Sequence, residues 1–375
     1  MPFFENARKL SYKGKYEVEL EVPRDSGLTD VDIARILRIA SWQDDVNKSA
    51  IRYEGTRSII IGRAEKAKYR NLTSTALQVS GVGYLPLEKS IKGVRVYDKN
   101  ARMLPPSKEN FMKNFSSDDT LMGTTDVQDG QFITTKPTYR ALGSYLESEL
   151  KQKIQNTVKA EGLGLKMISV PHAEAAGRYL DLGNEDGHLC FSVFAVPELY
   201  WLRFWDDFDF RLRKFLKRDN PQIGETIEWY AGNMSEAFHH LCRGLRELHD
   251  AGYVHRQPHS ANFYYRKGRP VCLADWSTLR ELNGTKEEQA QLKAIDLEAV
   301  FRQYDRLYSI FVENKEVLAL FESTRQNFMD AFLGGYADRK IDSMSVYDQY
   351  CKKTDEELGD VEFFVGWLLD NGDSK

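Results

Sequence analysis

The sequence predicts an α+β protein of two lobes, a strand-rich first half and a helical second half, preceded by a small α/β extension. Three observations predict it. Up to residue 198 the apolar runs are short or alternate with a period of two, the pattern of strands. From about residue 200 the apolar residues recur at three and four, the pattern of helices. Between them stands Leu189-Cys190-Phe191-Ser192-Val193-Phe194-Ala195-Val196, a nearly all-apolar run stopped by Pro197-Glu198, which reads as a central strand buried on both faces. The implied division is 1–50 for the extension, 51–198 for the first lobe and 199–375 for the second. With 42% hydrophobic and 29% charged residues, a packed core is feasible and wholesale disorder is excluded.

Taken in order, Tyr16 to Val22 alternates as a strand does, and Thr29-Asp30 caps a helix whose apolar positions are Val31, Ile33, Ala34, Ile36, Leu37 and Ile39. This segment reads either as an appended, partner-binding element or as padding on the first lobe. Ser58 to Gly62, Thr75 to Gly83 and Gly93 to Tyr97 are strand-like, with the polar, positively charged stretch Arg63 to Arg70 between the first two. Residues 104–137 hold Pro105-Pro106, Asp118-Asp119, Gly130 and several serines and threonines, and read as a long loop or insertion. A helix is expected over 138–161 on the stripe Leu142, Tyr145, Leu146, Leu150 and Ile154, followed by a strand at Met167 to Pro171. In the second half, helices are expected at Trp205 to Lys217, at Glu225 to His249, and near Glu287–Val312, Lys315–Phe332 and Thr354–Leu369.

Composition narrows the function. The net charge of −4 and the lack of a long basic run argue against nucleic acid as the main partner. The four cysteines lie far apart with no CxxC pair, as expected of reduced thiols in a cytoplasmic protein. The N-terminus has no apolar signal core, and the most apolar stretch, Leu189 to Phe204, is broken by Pro197 and Glu198, so no membrane span is expected.

The stretch Gly252 to Leu279, GYVHRQPHSANFYYRKGRPVCLADWSTL, carries the chemistry. His255-Arg256 come first, Asn262 follows, a hairpin-like turn spans Lys267 to Pro270, and an apolar strand ends at Asp275. This order resembles the catalytic and metal-binding loops of the protein-kinase superfamily. In that family the loop asparagine lies five residues after the catalytic aspartate, and here Asn262 lies five after Gln257. Asp275-Trp276-Ser277 occupies the place of the family's D-F-G. The resemblance therefore implies Asn262 and Asp275 as metal ligands, His255 and Arg256 as the loop's scaffold, ATP and Mg²⁺ as cofactors, and a nucleotide cleft near Pro197 and Glu198. Asp296, in Ala294-Ile295-Asp296-Leu297, resembles the helix aspartate that braces this loop in compact kinase relatives.

Phosphoryl or nucleotidyl transfer asks the protein mainly to hold phosphates and a hard cation, which takes oxygen ligands. The departures fall on the other requirements. Gln257 stands where the family has its catalytic aspartate, and losing a general base typically removes ~10²–10⁴ in rate. His259, two residues on, is the substitute base to weigh against an exposed loop histidine. In the first lobe Glu149 is better placed than Glu147 for the family's helix glutamate, against a plain solvated helix face. The strand lysine has no clean match. The stretch Ala76 to Pro86 is similar to the corresponding strand of the selenoprotein O pseudokinases, which transfer AMP, and on that alignment Ser80 takes the lysine's position. Lys66 or Lys68 would have to substitute, and the ordinary reading of both is surface charge. There is no GxGxxG loop. The gap from Asp275 to Asp296 is short and no A-P-E follows, so a peptide-docking activation segment is not expected. A metal set of His249, His255 and His259 lacks ligand spacing.

The expectation is a pseudokinase that binds nucleotide and Mg²⁺ and acts as a binding or regulatory module with a protein partner. The alternatives are an active atypical ATP-dependent transferase, moving phosphate or AMP to a small molecule or protein, and a purely structural interaction protein with its cleft filled by Trp276 or Tyr84.

Overall fold

The computed structural model describes residues 2–54, 57–70, 72–85, 89–91, 94–96, 102–106, 124–135, 144–184, 187–197, 202–203, 223–259, 262–311, 325–337, 341–353 and 359–371. In chain order the first strands and helices are β1 (Ala7–Lys13), β2 (Glu17–Pro23), α1 (Asp30–Ala40), α2 (Val46–Ser49), β3 (Arg52–Glu54), β4 (Ser58–Tyr69), β5 (Leu72–Ser80), β6 (Lys89–Ile91) and β7 (Val94–Val96). Then come β8 (Thr124–Gln128), β9 (Gln131–Thr135), β10 (Tyr145–Leu146), α3 (Glu147–Gly162), β11 (Ile168–Ser169), β12 (His172–Asn184), β13 (Gly187–Val196) and β14 (Leu202–Arg203). The rest is α4 (Ile223–Asp250), β15 (Tyr253–Val254), β16 (Phe263–Tyr265), β17 (Val271–Leu273), β18 (Arg280–Glu281), α5 (Lys286–Phe311), α6 (Arg325–Ala337), α7 (Ser343–Lys353) and α8 (Gly359–Asn371). The class is α+β. The chain forms two compact units, one of residues 1–123, 136–162 and 170–200, the other of 124–135, 163–169 and 201–375. Among the described residues no helix is long and apolar enough to cross a membrane.

The first unit is built on an antiparallel sheet in the order β1-β2-β12-β13-β5-β4-β3. β13 lies inside it, as its all-apolar sequence predicts, and its side chains divide by period two. Leu189, Phe191 and Val193 join the core with Ile33, Ile36 and Ile39 of α1, while Cys190 and Phe194 join Leu150 and Ile154 of α3. Both faces are thus apolar, which is why the strand does not alternate. Of the two readings of the first fifty residues the packing matches the second: β1 and β2 form an edge of this sheet and α1 fills its core. α1 carries the expected cap, Thr29 Oγ1 accepting from Asp32 N at 3.2 Å while Asp32 accepts from Thr29 N at 3.1 Å.

The structure departs from the expected elements at several places. Arg63 to Tyr69 is not a connecting segment but the second half of β4, which crosses an irregularity between Gly62 and Ala67. Its polar sequence hides the reason: Arg63 turns inward and forms a fully buried ion pair with Glu174 of β12. Glu174 also accepts from Tyr69 Oη, from Ser26 Oγ (2.9 Å) and from Gly27 N (2.8 Å), while Arg63 Nη2 donates to Gly27 O (2.5 Å). β12 itself was not anticipated, because Ala175-Ala176-Gly177 lacks strand-favouring side chains; a Cβ at Gly177 would come within 2.2 Å of Phe191 Cζ, so a close approach requires the glycine. The helix of 138–161 starts at Glu147, with Tyr145-Leu146 pairing to β13 as β10 instead. The stretch 104–137 contains the β8–β9 hairpin, and Ser343–Lys353 forms a further helix, α7.

The second unit has a four-stranded sheet, β11-β17-β16-β14, the pair β15–β18, and helices. α4 buries the expected stripe Met234, Phe238, Leu241, Leu245 and Leu248. Phe238 packs edge-on against Phe263 (6.2 Å) and Phe328 (5.0 Å), which ties the helix to both β16 and α6. The expected helix at Trp205 to Lys217 lies outside the described residues, as do the first residues of those expected near Lys315 and Thr354.

Removing one partner of a buried ion pair strands the other. Glu174→Ala should lower the unfolding free energy by about 3 kcal/mol or more, measured by denaturant titration, and a change within ordinary surface variation would reject the role given to this pair.

Candidate functional site

In the second unit, α4 ends at Asp250 and the chain turns through Gly252, whose φ of +85° favours glycine. β15 then pairs with β18, so Tyr253–Val254 and Arg280–Glu281 clasp the two ends of the loop between them. A buried carboxylate organises that loop. Asp296, on α5, accepts from His255 N (2.9 Å) and His249 Nε2 (2.9 Å) through Oδ2, and from Arg256 N (2.5 Å) through Oδ1. Thr278 Oγ1 donates to His255 O (2.6 Å) and Arg256 Nε donates to Thr278 O (2.7 Å). His255 Nε2 donates to Ala274 O (3.1 Å), which leaves Nδ1 to accept from Gln257 N (3.3 Å). Trp276 packs its ring edge-on to His255 at 4.8 Å and donates Nε1–H to Leu273 O (2.7 Å).

Hydrogen bonding assigns both buried histidines as neutral. His249 donates from Nε2 to Asp296 and accepts at Nδ1 from Tyr336 Oη (2.7 Å). Burial pushes both imidazoles below the usual histidine range, against the pull of the Asp296 carboxylate.

The loop's backbone is strained where its roles concentrate. Among the described non-glycine residues, positive φ occurs at Trp42, Asp129, Arg256 (+69°) and Asp275 (+59°), and the last two lie in this loop. Such conformations cost of order 1–3 kcal/mol each and cluster at functional sites.

The β16–β17 ladder places the two expected metal ligands. Phe263 opposes Leu273, so Asn262 comes opposite Ala274, whose N donates to Asn262 O at 2.6 Å, and Asp275 is one residue on. Asn262 is buried, with Nδ2 donating to Gln257 O (3.0 Å) and to His259 Nε2 (3.2 Å), which leaves Oδ1 as its oxygen for a cation. Asp275 is half-buried and accepts from Ser277 Oγ (3.0 Å). Two oxygen donors on neighbouring ladder positions suit Mg²⁺ that keeps its waters and phosphate oxygens; they do not make a metal cage. Among the described residues no cluster of three or more His, Cys, Asp or Glu side chains is placed to hold a metal. His249 and His255 are each committed to protein partners, which disfavours the histidine set.

His255, Arg256, Gln257, His259, Asn262, Asp275 and Asp296 therefore come together in one unit. The other candidates belong to the first unit. Glu149 accepts from Leu146 N at 3.2 Å and so caps the start of α3, while Glu147 pairs with Lys151 at 2.7 Å. Lys66 and Lys68 are exposed on β4, Pro197 is buried after β13, and Glu198 lies outside the described residues. Tyr84 bridges to Leu104 within the same unit. Missed at the level of sequence were Thr278, Tyr336 and Asp126, the last of which takes a hydrogen bond from Arg256 Nη1 at 2.7 Å. Asp126 had a signal: its hairpin turns on Asp129-Gly130, both with positive φ, the dipeptide favoured by two-residue hairpin loops.

No protein-family model matches the chain, and no curated protein matches it. Among solved structures, the bifunctional kinase-methyltransferase WbdD matches at 16% identity and a TM-score of 0.24, over 48% of this chain and 37% of that one. A divergent Toxoplasma kinase that lacks the glycine-rich loop and regulates membrane ultrastructure of the parasitophorous vacuole matches at 12% identity and a TM-score of 0.23, over 48% of this chain and 56% of that one. The chain thus spans well under two thirds of either.

Two outcomes follow for the brace. Asp296→Asn exchanges one acceptor oxygen for a donor that faces N–H groups, and should cost about 2–3 kcal/mol in denaturant unfolding; an unchanged midpoint would reject the brace. The unfolded chain takes up protons on its histidines as pH falls through about 6.5, whereas folded His249 and His255 do not until lower pH, so the pair adds stability above that pH and loses it below. His172 has the opposite sign: burial lowers its pKa, but the hydrogen bond to Glu161 and the charges of Glu161, Glu174 and Asp25 together raise it, so its contribution is full below about 6.5 and fades as pH rises through the raised value. Histidine NMR should show His249 and His255 titrating below about pH 6.5 and His172 titrating above it.

Proposed function

We propose that this chain is a kinase-like nucleotide-binding module that has lost ordinary phosphotransfer, and that it works as a binding or regulatory protein. The observation that carries the reading is the joint geometry of Asp296 and the Asn262–Asp275 ladder pair. A helix carboxylate bonded to two successive loop N–H groups fixes the loop, and the ladder register then brings two oxygen ligands to neighbouring positions. Bound there, Mg²⁺ would supply charge neutralisation to the phosphates of a nucleoside triphosphate. Asn262 Oδ1 and Asp275 would hold it, and Asp296, Thr278 and His255 would keep those two residues in place.

Three features favour binding over transfer. Gln257 has no carboxylate to take an acceptor's proton. His259, the substitute base, already accepts from Asn262 at Nε2. The strand beside β13, β5, reads LTSTALQVS and offers no lysine to the phosphates; Ser80, which takes that position in the selenoprotein O alignment, hydrogen-bonds Ser58 Oγ at 2.7 Å. A second reading, transfer of phosphate or AMP by an atypical route, is favoured by the presence of both oxygen ligands.

Thermal denaturation with and without Mg²⁺·ATP tests the first reading. A ligand of the native state at a hundred times its Kd adds about 2.7 kcal/mol. The wild type should show such a shift, Asn262→Ala and Asp275→Ala should lose it, and Gln257→Ala should keep it. No shift in the wild type, or an equal shift after Asp275→Ala, would overturn it. Incubation with α- and γ-labelled ATP separates the second reading: label on any acceptor or on the chain itself decides for transfer.

A further inference from the structure

The β8–β9 hairpin is far in sequence from the Gly252–Leu279 stretch, yet it lies in the same compact unit and is fastened beside it at three points. Asp126 Oδ2 accepts from Arg256 Nη1 at 2.7 Å, and its Oδ1 pairs with Arg280. Val127 O accepts from Arg280 Nη1 at 3.3 Å, and Gly130 O accepts from Gln291 Nε2 of α5 at 2.8 Å. The carboxylate is also oriented from its own strand, Val127 N donating to Oδ1 at 2.7 Å.

The two arginines that converge on Asp126 are not incidental surface charges. Arg256 has its N–H on Asp296, its Nε on Thr278 O, and a left-handed backbone. Arg280 is in β18, which closes the loop by pairing with β15. Exposure is 13% for the Arg256 side chain and 23% for Asp126, so the pair is shielded from the screening that makes most surface ion pairs worthless. Burial lowers the Arg256 pKa against the pull of the Asp296 carboxylate, and Asp126 adds a second carboxylate at its Nη1. Charge-assisted, near-bidentate bonding between arginines and one oxygen-bearing anion is a common way to order a loop in proteins switched by phosphorylation. Here the anion is part of the chain.

We propose that Asp126 is a positioning residue and the β8–β9 hairpin an intramolecular strap: it supplies the anion for the Arg256–Arg280 pair, so the loop that carries Asn262 and Asp275 is set without any phosphate being added to the chain. The strap's role toward the ligand-holding residues rests on the nucleotide reading above; its grip on the loop does not.

The test uses the full-length protein and amide hydrogen exchange of residues 255–259, measured without nucleotide. Asp126→Ala should speed exchange there about tenfold or more, the scale of lost charge-assisted hydrogen bonds, and Asp126→Glu should stay near wild type. About 10 mM inorganic phosphate should slow the loop again in Asp126→Ala, by filling the two-arginine site, and chloride at equal ionic strength should not. Arg280→Met, which leaves the hairpin intact, should speed exchange in the same direction but not respond to phosphate; it serves if Asp126→Ala fails to fold. Unchanged loop exchange in both variants, or a loss in Asp126→Ala that phosphate does not reverse, overturns the strap while leaving Mg²⁺·ATP binding by the wild type untouched. A responding loop in a protein that does not bind Mg²⁺·ATP overturns the nucleotide reading and, with it, the positioning role, and leaves Asp126 a clasp of the fold.

Discussion

One buried carboxylate sets the second unit. Asp296 has no solvent contact, and a charge in that position is tolerated only when its lone pairs are filled. They are filled from two places: the last turn of α4, through His249, and the start of the loop, through the amides of His255 and Arg256. The carboxylate on α5 thus fixes where α4 ends relative to where the loop begins. Everything downstream inherits that position. His255, held by its N–H, passes the constraint through its ring to Ala274 O, and so to the strand that ends in Asp275. Tyr336, reaching His249 from α6, makes the brace a property of three helices and not of a single contact.

How much of this was legible follows from which side chains face inward. The long stripe of α4 and the run of β13 were legible because apolar burial leaves a periodic trace. The role of Asp296 was legible only through resemblance, since a lone aspartate on an apolar helix has no period. β4 and β12 were lost for a different reason. Their shared interior is an ion pair, Arg63–Glu174, and a polar residue that faces in reads as one that faces out until its partner is known. In β12 the close contact of Gly177 with Phe191 demands the residue that strand propensity most disfavours. The β8–β9 hairpin did leave a local signal at Asp129-Gly130. It was obscured by the threonines and serines around it, which belong equally to strands and to loops.

The candidate site divides along the same line. Asn262 and Asp275 were paired through resemblance, and a two-stranded ladder relates their positions: once Phe263 opposes Leu273, the residues flanking that pair have no freedom to be elsewhere. Glu149, Lys66 and Lys68 had no such ladder behind them. Each was chosen for its chemistry on an element of roughly the right kind, and the structure finds Glu149 capping its helix and the lysines exposed.

The interactions that hold the loop engage position 257 through its backbone. Gln257 contributes its backbone N–H to His255 and its carbonyl to Asn262, and any residue but proline supplies those. A change of side chain there therefore leaves those two backbone hydrogen bonds in place. The reverse does not hold. Loss of Asp296 or of the Asn262 amide would unseat backbone groups that are buried, at a cost of the order of 1–3 kcal/mol for each one left unpaired. The positions of Asn262 and Asp275 are thus maintained by the needs of folding, whether or not the loop holds a ligand.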